Sequence, residues 1–451
     1  ASQSISGEIV LDKLLRSLMS TLLQNAGADR GILILESKKK FYAEAISETG
    51  KESQILQSIP IDGTTPICPT SMIYFVVRSK ENVVLDDAIA DAKYGSDLYI
   101  QEAKPRSVIC TPLMTQGKVV GVLYLENKVS IGAFTKERLR ILNLLSSQAA
   151  ISIENARLYS NMSELNAAYQ RFVPEEFLRF LNRESIVDVK LGDQIRKEMS
   201  VLFSDIRSFT ELSEKMSPEE NFNFINSYLK RMGPNIRENN GFIDKYIGDA
   251  IMALFPRNAD DAIKASIQMM EGIKIYNVHR NNQGYPPISI GIGIHTGELM
   301  LGTVGEDKRM DTTVISDAVN LSSRLESMTK QYGVGIIVSE DTLNKTQDRS
   351  KYKTRLLDNV IVKGKTLPVV VYEVFDYYPE VVLKEKLASK EFFEKAVTLF
   401  YEGNFQEAKN LFEKVLSISK EDKAAKLFLE RVENLIKNLD DWKGVSTLAE
   451  K

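Results

Sequence analysis

The sequence predicts an α+β multidomain chain, and three observations carry that expectation. At 451 residues the chain is too long for a single hydrophobic core. Helix-period stretches alternate with short apolar runs bounded by Gly, Pro and polar turn residues. The composition, 43% hydrophobic and 26% charged, is that of ordinary globular protein. A net charge of −3 gives no footprint for nucleic acid or an anionic membrane. Cys68 and Cys110 cannot form a disulfide framework, and His279 and His295 cannot form a histidine metal cluster. No apolar run reaches bilayer length and no secretory signal opens the chain, so a reducing, cytoplasmic location is expected. The chain begins at Ala1 with a helical pattern almost at once, as a piece of a longer polypeptide would.

Residues 1–150 read as one small α+β domain. IVLDKLLRSLMSTLLQNAG is an amphipathic helix with Gly27 as its C-cap. RGILILE is a buried strand. SVICTPLMTQ and KVVGVLYLEN form a hairpin about Gly117, and FTKERLRILNLLSSQAAISIENARLY is a long closing helix. The stretches GVLYLENK, AFTKERLRIL and LLSSQAAISIENARLY resemble a GAF domain, over roughly residues 8–160. The resemblance implies a small-molecule sensor and dimerisation module. GAF domains that bind cyclic nucleotides carry Asn-Lys, then Phe, then an Asp-Glu pair. Asn127, Lys128 and Phe134 fit that pattern, whereas Glu137 is displaced and Arg138 and Leu139 stand where the acids belong. The ligand is therefore left open, and a packed core with no ligand is an equal alternative.

Residues 151–190 form a signalling helix and linker. Ile151, Asn155, Leu158, Met162, Leu165, Tyr169 and Phe172 alternate at spacings of four and three, the seam of a short coiled coil. That seam predicts a parallel dimer, with Asn155 as a polar register residue. The alternative is a single helix lying on its own domain. Pro174 ends the run, and PEEFLRFL leads on. Residues 384–438 are helical, and FFEKAVTLFYEGNFQEAKNLFEKVLSI resembles one tetratricopeptide unit turning at Gly403. A lone unit cannot bury its own face, so it packs on the rest of the chain, binds a protein partner or belongs to a truncated array.

Residues 191–378 carry the chemistry. KEMSVLFSDIRSFT is a buried strand running into a polar loop. A helix follows from about Pro218 to Asn239, then the hairpin FIDKYIGDAIMALF and the helix ADDAIKASIQMMEGIKIYNV. The strands PISIGIGIHTG and ELMLGTVG, the helix AVNLSSRLESMTK and the strand GVGIIVS complete a ferredoxin-like α/β sandwich. Asp205 and Asp249 each sit where an apolar strand meets a turn. If those strands are neighbours, the two carboxylates converge, which is unfavourable unless cations lie between them. Hard oxygen ligands at a core rim suit Mg²⁺ or Mn²⁺, and a pair of such ions can activate an attacking oxygen and hold leaving phosphates. Ordinary turn chemistry is the alternative for either aspartate alone.

FSDIRSFT, DKYIGDAIMALF, GIGIHTGELMLGTVG and VISDAVNLSSRLE resemble the class III nucleotidyl cyclase catalytic domain, over about 180 residues. The resemblance implies that Asp205 and Asp249 bind two metal ions, that Lys245 and Thr313 read the purine, and that Asn320 and Arg324 are catalytic. It also implies that Lys363 on the hairpin VIVKGKTLPV holds the triphosphate. Ser316 departs from the commoner Gly-Asp form of its turn. The family builds its sites between two subunits, so a homodimer is implied, with Lys245 facing the partner's nucleotide. Lys245 can only donate, which suits the adenine N1 acceptor, and the Thr313 hydroxyl can accept from the adenine amine. Guanine reverses that edge, so ATP is the expected substrate and conversion to 3′,5′-cyclic AMP the expected reaction. A guanylyl cyclase and a catalytically inactive dimeric scaffold remain the other readings. Arg207 and Lys365 are read as solvated charges.

Overall fold

The opening amphipathic stretch forms α1 (Ser2–Ala26), which Gly27 ends in the left-handed region at φ 64°. It leads into β1 (Arg30–Ser37), β2 (Lys40–Glu48), β3 (Gln54–Pro60), α2 (Thr70–Ser79), β4 (Val83–Leu85), α3 (Leu98–Ala103), β5 (Ser107–Thr115), β6 (Lys118–Asn127) and α4 (Lys136–Tyr169). In this computed structural model the chain divides into two units, Ala1–Phe172 and Val173–Lys451. The structure describes residues 2–63, 67–169, 173–306, 309–361, 368–437 and 446–447.

The first unit is an antiparallel sheet in the order β3-β2-β1-β6-β5-β4. Strand alternation divides its core in two. Leu33 and Leu35 face Leu15, Met19 and Leu22 of α1 and Leu142 and Ile153 of α4. Ile32 and Ile34 face the opposite way, onto Met72, Ile73 and Val76 of α2. β5 and β6 meet across the expected hairpin, with Gly117 at φ 77°. β2, β3 and α2 are additions to the sequence reading. Asn127 is occupied by the fold. Its amide donates to Gly27 O at 2.9 Å, and its Oδ1 accepts from Val129 N and Ser130 N. Phe134 is core, and Arg138 donates to Ala133 O. Two of the positions that fit the cyclic-nucleotide pattern thus have structural work in this fold. Beyond Ile153, α4 presents Leu158, Met162, Leu165 and Tyr169 exposed, as is Ile151 two turns before Leu158. Phe172 lies outside the described residues.

The second unit starts with α5 (Glu175–Phe180). It continues through β7 (Gln194–Ile206), α6 (Phe209–Ser213), α7 (Pro218–Glu238), β8 (Phe242–Ile247), β9 (Ala250–Phe255), α8 (Ala259–Asn282), β10 (Ile290–Glu306) and β11 (Arg309–Ile315). Next come α9 (Asp317–Tyr332), β12 (Ile336–Ser339), α10 (Glu340–Asn344), β13 (Thr354–Ile361), β14 (Val369–Val374), α11 (Glu380–Tyr401), α12 (Phe405–Ile418) and α13 (Lys423–Lys437). The sheet runs β13-β14-β12-β10-β7-β9-β8, with β11 paired to β10. Its core, β10-β7-β9-β8, places the fourth, first, third and second strands side by side with α7 and α8 as the intervening helices, the ferredoxin-like order. α7 begins with a capping box in which Ser217 and Glu220 satisfy each other's amides.

One difference from the sequence reading concerns β10. The two strands expected around Gly297 are one, because β7 pairs with β10 without interruption from Ile290↔Ile206 to Gly302↔Gln194. Within β10, Gly293 is required by a close approach. A Cβ there would lie 2.1 Å from Glu326 N and 2.4 Å from Ser322 O, so α9 rests directly on the strand backbone.

The C-terminal helices belong to the second unit's core. α11 turns into α12 at Gly403, φ 80°. Phe393, Phe400, Phe412 and Phe428 then pack with Leu321, Leu325, Met328 and Tyr332 of α9 and with Val360 and Val371 of the sheet. A buried ionic cluster joins the same parts. Arg355 on β13 donates from Nε to Glu373 at 2.6 Å and through Nη1 and Nη2 to Asp422 at 2.6 and 3.1 Å. Lys386 of α11 donates to Glu373 at 3.0 Å. The segment thus packs on the chain itself.

Candidate active site

The hairpin β8–β9 closes through Gly248 and Asp249, with Ile247 paired to Ala250 and Gly248 at φ 65°. β9 lies beside β7, Ser204 pairing with Ile251, and this register brings Asp249 to the end of β7. There the Ile206 backbone N–H donates to Asp205 Oδ1 at 3.1 Å and to Asp249 Oδ2 at 3.2 Å. The Ile206 amide is therefore shared by the two carboxylates. Burial and the neighbouring Asp205 raise the Asp249 carboxyl to about 7. The pair opens into a cavity of about 290 Å³ that is also lined by Arg207, Thr210, Glu326 and Lys330.

Glu326 and Arg207 are additions to the predicted site. Burial, reinforced by the Asp205 charge and opposed by Arg207, raises the Glu326 carboxyl to about 7. Arg207 is not a solvated charge. It is half-buried and donates to Val334 O at 2.5 Å, because the loop after β7 folds back over α9. Burial lowers the proton affinity of its guanidinium, and Glu326 opposes that shift.

Lys245 and Thr313, the pair expected to read the purine, meet elsewhere in the same unit. Lys245 Nζ lies 3.5 Å from Thr313 Oγ1, linking β8 to β11. The pairing of β8 with β9 slips between Ile243 and Lys245, a bulge at Asp244. The Asp244 side chain is 1% exposed and sits 3.5 Å from the Lys245 ammonium. Its Oδ2 has no hydrogen-bond partner among the described residues. Burial raises the Asp244 carboxyl and Lys245 opposes the rise.

Asn320 and Arg324 lie one turn apart on α9, Asn320 exposed and Arg324 half-buried. Ser316 is the N-cap of that helix. Its Oγ accepts from Ala318 N at 3.0 Å and donates to Glu298 O at 2.5 Å, so the departure from Gly-Asp still supplies a cap. The carboxylate cavity is lined by neither Asn320 nor Arg324, nor by Lys245 or Thr313. Within one chain the predicted residues are thus divided between the aspartate cavity and the other positions. Lys363 and Lys365 lie outside the described residues.

A domain with this strand order and two carboxylates sharing the amide at the end of its first strand agrees with the family comparison. Residues 192–375 match the family described as the adenylate and guanylate cyclase catalytic domain, and residues 10–153 match the GAF domain. The chain carries a nucleotidyl cyclase catalytic domain behind a GAF domain. An adenylate cyclase of Anabaena cylindrica is 43% identical over 222 residues, 48% of this chain and 44% of that protein. The terminal-differentiation-specific adenylate cyclase of Dictyostelium discoideum is 34% identical over 285 residues, 62% of this chain and 13% of that protein. Among solved structures, the adenylyl cyclase CyaB from P. aeruginosa is 35% identical and aligns with 42% of this chain and 98% of its own, with a TM-score of 0.38. The chain spans less than half the length of the two curated relatives. No helix among the described residues is long and apolar enough to cross a membrane.

Proposed function

We propose that the chain is an adenylyl cyclase that converts ATP to 3′,5′-cyclic AMP and pyrophosphate in composite sites of a homodimer, under the control of its GAF domain. The convergence of Asp205 and Asp249 on the Ile206 amide carries this reading. Two converging carboxylates, one of them with a raised proton affinity, suit a hard divalent cation, Mg²⁺ or Mn²⁺. Asp205 and Asp249 would hold two such ions, whose chemistry is to acidify the ribose 3′-hydroxyl and neutralise the triphosphate.

The remaining roles fall to other side chains. Lys245 donates to adenine N1 and Thr313 accepts from the exocyclic amine, so the correct base leaves no polar group unpaired. Asn320 orients the ribose. Arg324 meets the charge that builds on the α-phosphate as the 3′-oxygen attacks and pyrophosphate leaves. Lys363 holds the triphosphate. Separation of the aspartate cavity from Lys245, Thr313, Asn320 and Arg324 within one chain favours two composite sites related by a twofold axis. The exposed seam on α4 favours a parallel pairing of the sensor helices.

The test is turnover of ATP and GTP by the purified chain with Mn²⁺. Cyclic AMP should form faster than cyclic GMP, and Asp205→Ala or Asp249→Ala should remove at least about nine-tenths of the rate with an unchanged circular dichroism spectrum. A faster reaction with GTP would make the chain a guanylyl cyclase. Absence of turnover with either nucleotide would leave a dimeric scaffold.

A further inference from the structure

A second cavity, of about 550 Å³, lies among α6, α7 and α8, and none of the residues assigned to the reaction lines it. Arg280 of α8 does. Its side chain is buried, the residue being 5% exposed, yet no carboxylate of the described residues pairs with it. Nε donates to Pro286 O at 2.8 Å, and Nη2 has no hydrogen-bond partner among the described residues. The guanidinium is instead flanked by rings, 4.7 Å from the centre of Phe224, 5.7 Å from Tyr276 and 5.6 Å from Tyr285. Ring faces offset only part of the cost of burying a cation.

The rest of the lining adds to the imbalance. Arg231 stacks 4.4 Å above Tyr276, and Lys215 and His279 also border the cavity. The acid in the lining, Glu220, is already engaged, accepting from Ser217 N at 2.8 Å in the capping box of α7. Arg231 is exposed and donates to Ser227 O and Oγ at 2.8 and 2.7 Å, so the buried Arg280 is the unbalanced charge. A cavity of ligand size with aromatic walls, a buried guanidinium without a carboxylate and a second guanidinium at its border matches one chemistry, a flat ring that carries an anion.

We propose that this cavity binds a small organic anion, an apolar ring bearing a carboxylate or a phosphate, with its charge directed to Arg280 and Arg231. Because the reaction's residues lie elsewhere, the ligand acts as an effector of the cyclase domain rather than as its substrate.

Calorimetric titration of the full chain tests this, with naphthalene-2-carboxylate and 2-naphthyl phosphate as probes and naphthalene-2-carboxamide as the neutral control. At least one anion should bind saturably, one per chain, about tenfold or more tighter than the amide. Preference between the two anions identifies the charged group. Arg280→Gln should weaken the binding about tenfold, and so should Arg231→Gln, an exposed position that keeps the test valid if the buried variant fails to fold. The site is refuted if neither anion outbinds the amide up to about 5 mM, or if Arg231→Gln leaves anion binding unchanged.

Discussion

Glu326 and Asp249 have carboxyls whose proton affinity is raised in the folded chain, so folding favours their protonated forms. The stabilisation they provide is complete below the ordinary carboxylate range and is lost as pH rises through about 7. In metal-free protein the melting temperature should therefore fall between about pH 5 and pH 8, and Glu326→Gln should flatten that fall. Added Mn²⁺ should raise the melting temperature more at the upper end, where protons no longer compete for the carboxylates. An identical slope in wild type and variant, measured by differential scanning fluorimetry, would show that Glu326 does not titrate in this range. Asp244 makes a different kind of prediction. Its buried carboxylate holds the Lys245 ammonium, so Asp244→Asn should reduce the ATP-to-GTP ratio of kcat/KM by roughly tenfold. In a Lys245→Met background the same change should do little, because a residue acting through Lys245 has nothing left to position. Equal effects in both backgrounds would give Asp244 an independent role. The convergence of Asp205 and Asp249 was legible in the sequence because each ends an apolar strand at a turn. Asp244, Glu326 and Arg207 were not, because a bulge exists only in a pairing register and their burial depends on segments distant in sequence.

At the scale of elements, α9 is held between two surfaces. Gly293 lets it touch β10 on one side, and the phenylalanines of α11, α12 and α13 pack against it on the other. Gly293→Ala should push α9 off the strand, with a loss of turnover larger than a surface substitution would cause and a lower melting temperature. Phe428→Ala should cost about 3–5 kcal/mol of stability, because it opens a cavity in the shared core. If denaturant unfolding of the Phe428 variant changes by less than about 1 kcal/mol, the C-terminal helices are not an integral part of that core. The periodicity of these helices and the turn at Gly403 were readable from the sequence. Their docking surface was not, because α9 shows its apolar face in the sequence without showing which element covers it. The single long strand β10 was missed for a related reason: Gly297 signals a turn locally, and only its pairing with β7 shows that the strand continues.

For the whole molecule, the proposed sharing of sites between two subunits makes a mixing experiment decisive. Asp249→Ala and Arg324→Ala chains should each be inactive alone. A mixed dimer would contain one doubly damaged site and one intact site, so re-equilibrated mixtures should recover up to about a quarter of the wild-type rate. No recovery, with chain exchange demonstrated independently, would place each site within one chain. The proposed twofold reading joins the 3.5-residue seam of α4 with the division between metal ligands and base readers that the family resemblance implies.

The family match stops at residue 375, but the hydrophobic core does not. Phe393, Phe400, Phe412 and Phe428 lie beyond that boundary and complete the packing of the helix that carries Asn320 and Arg324. A gene fusion that transplanted only the matched segment would therefore carry an unfinished protein. Recombination between relatives should be tolerated when its crossover falls after α13 and rejected when it falls between β14 and α11.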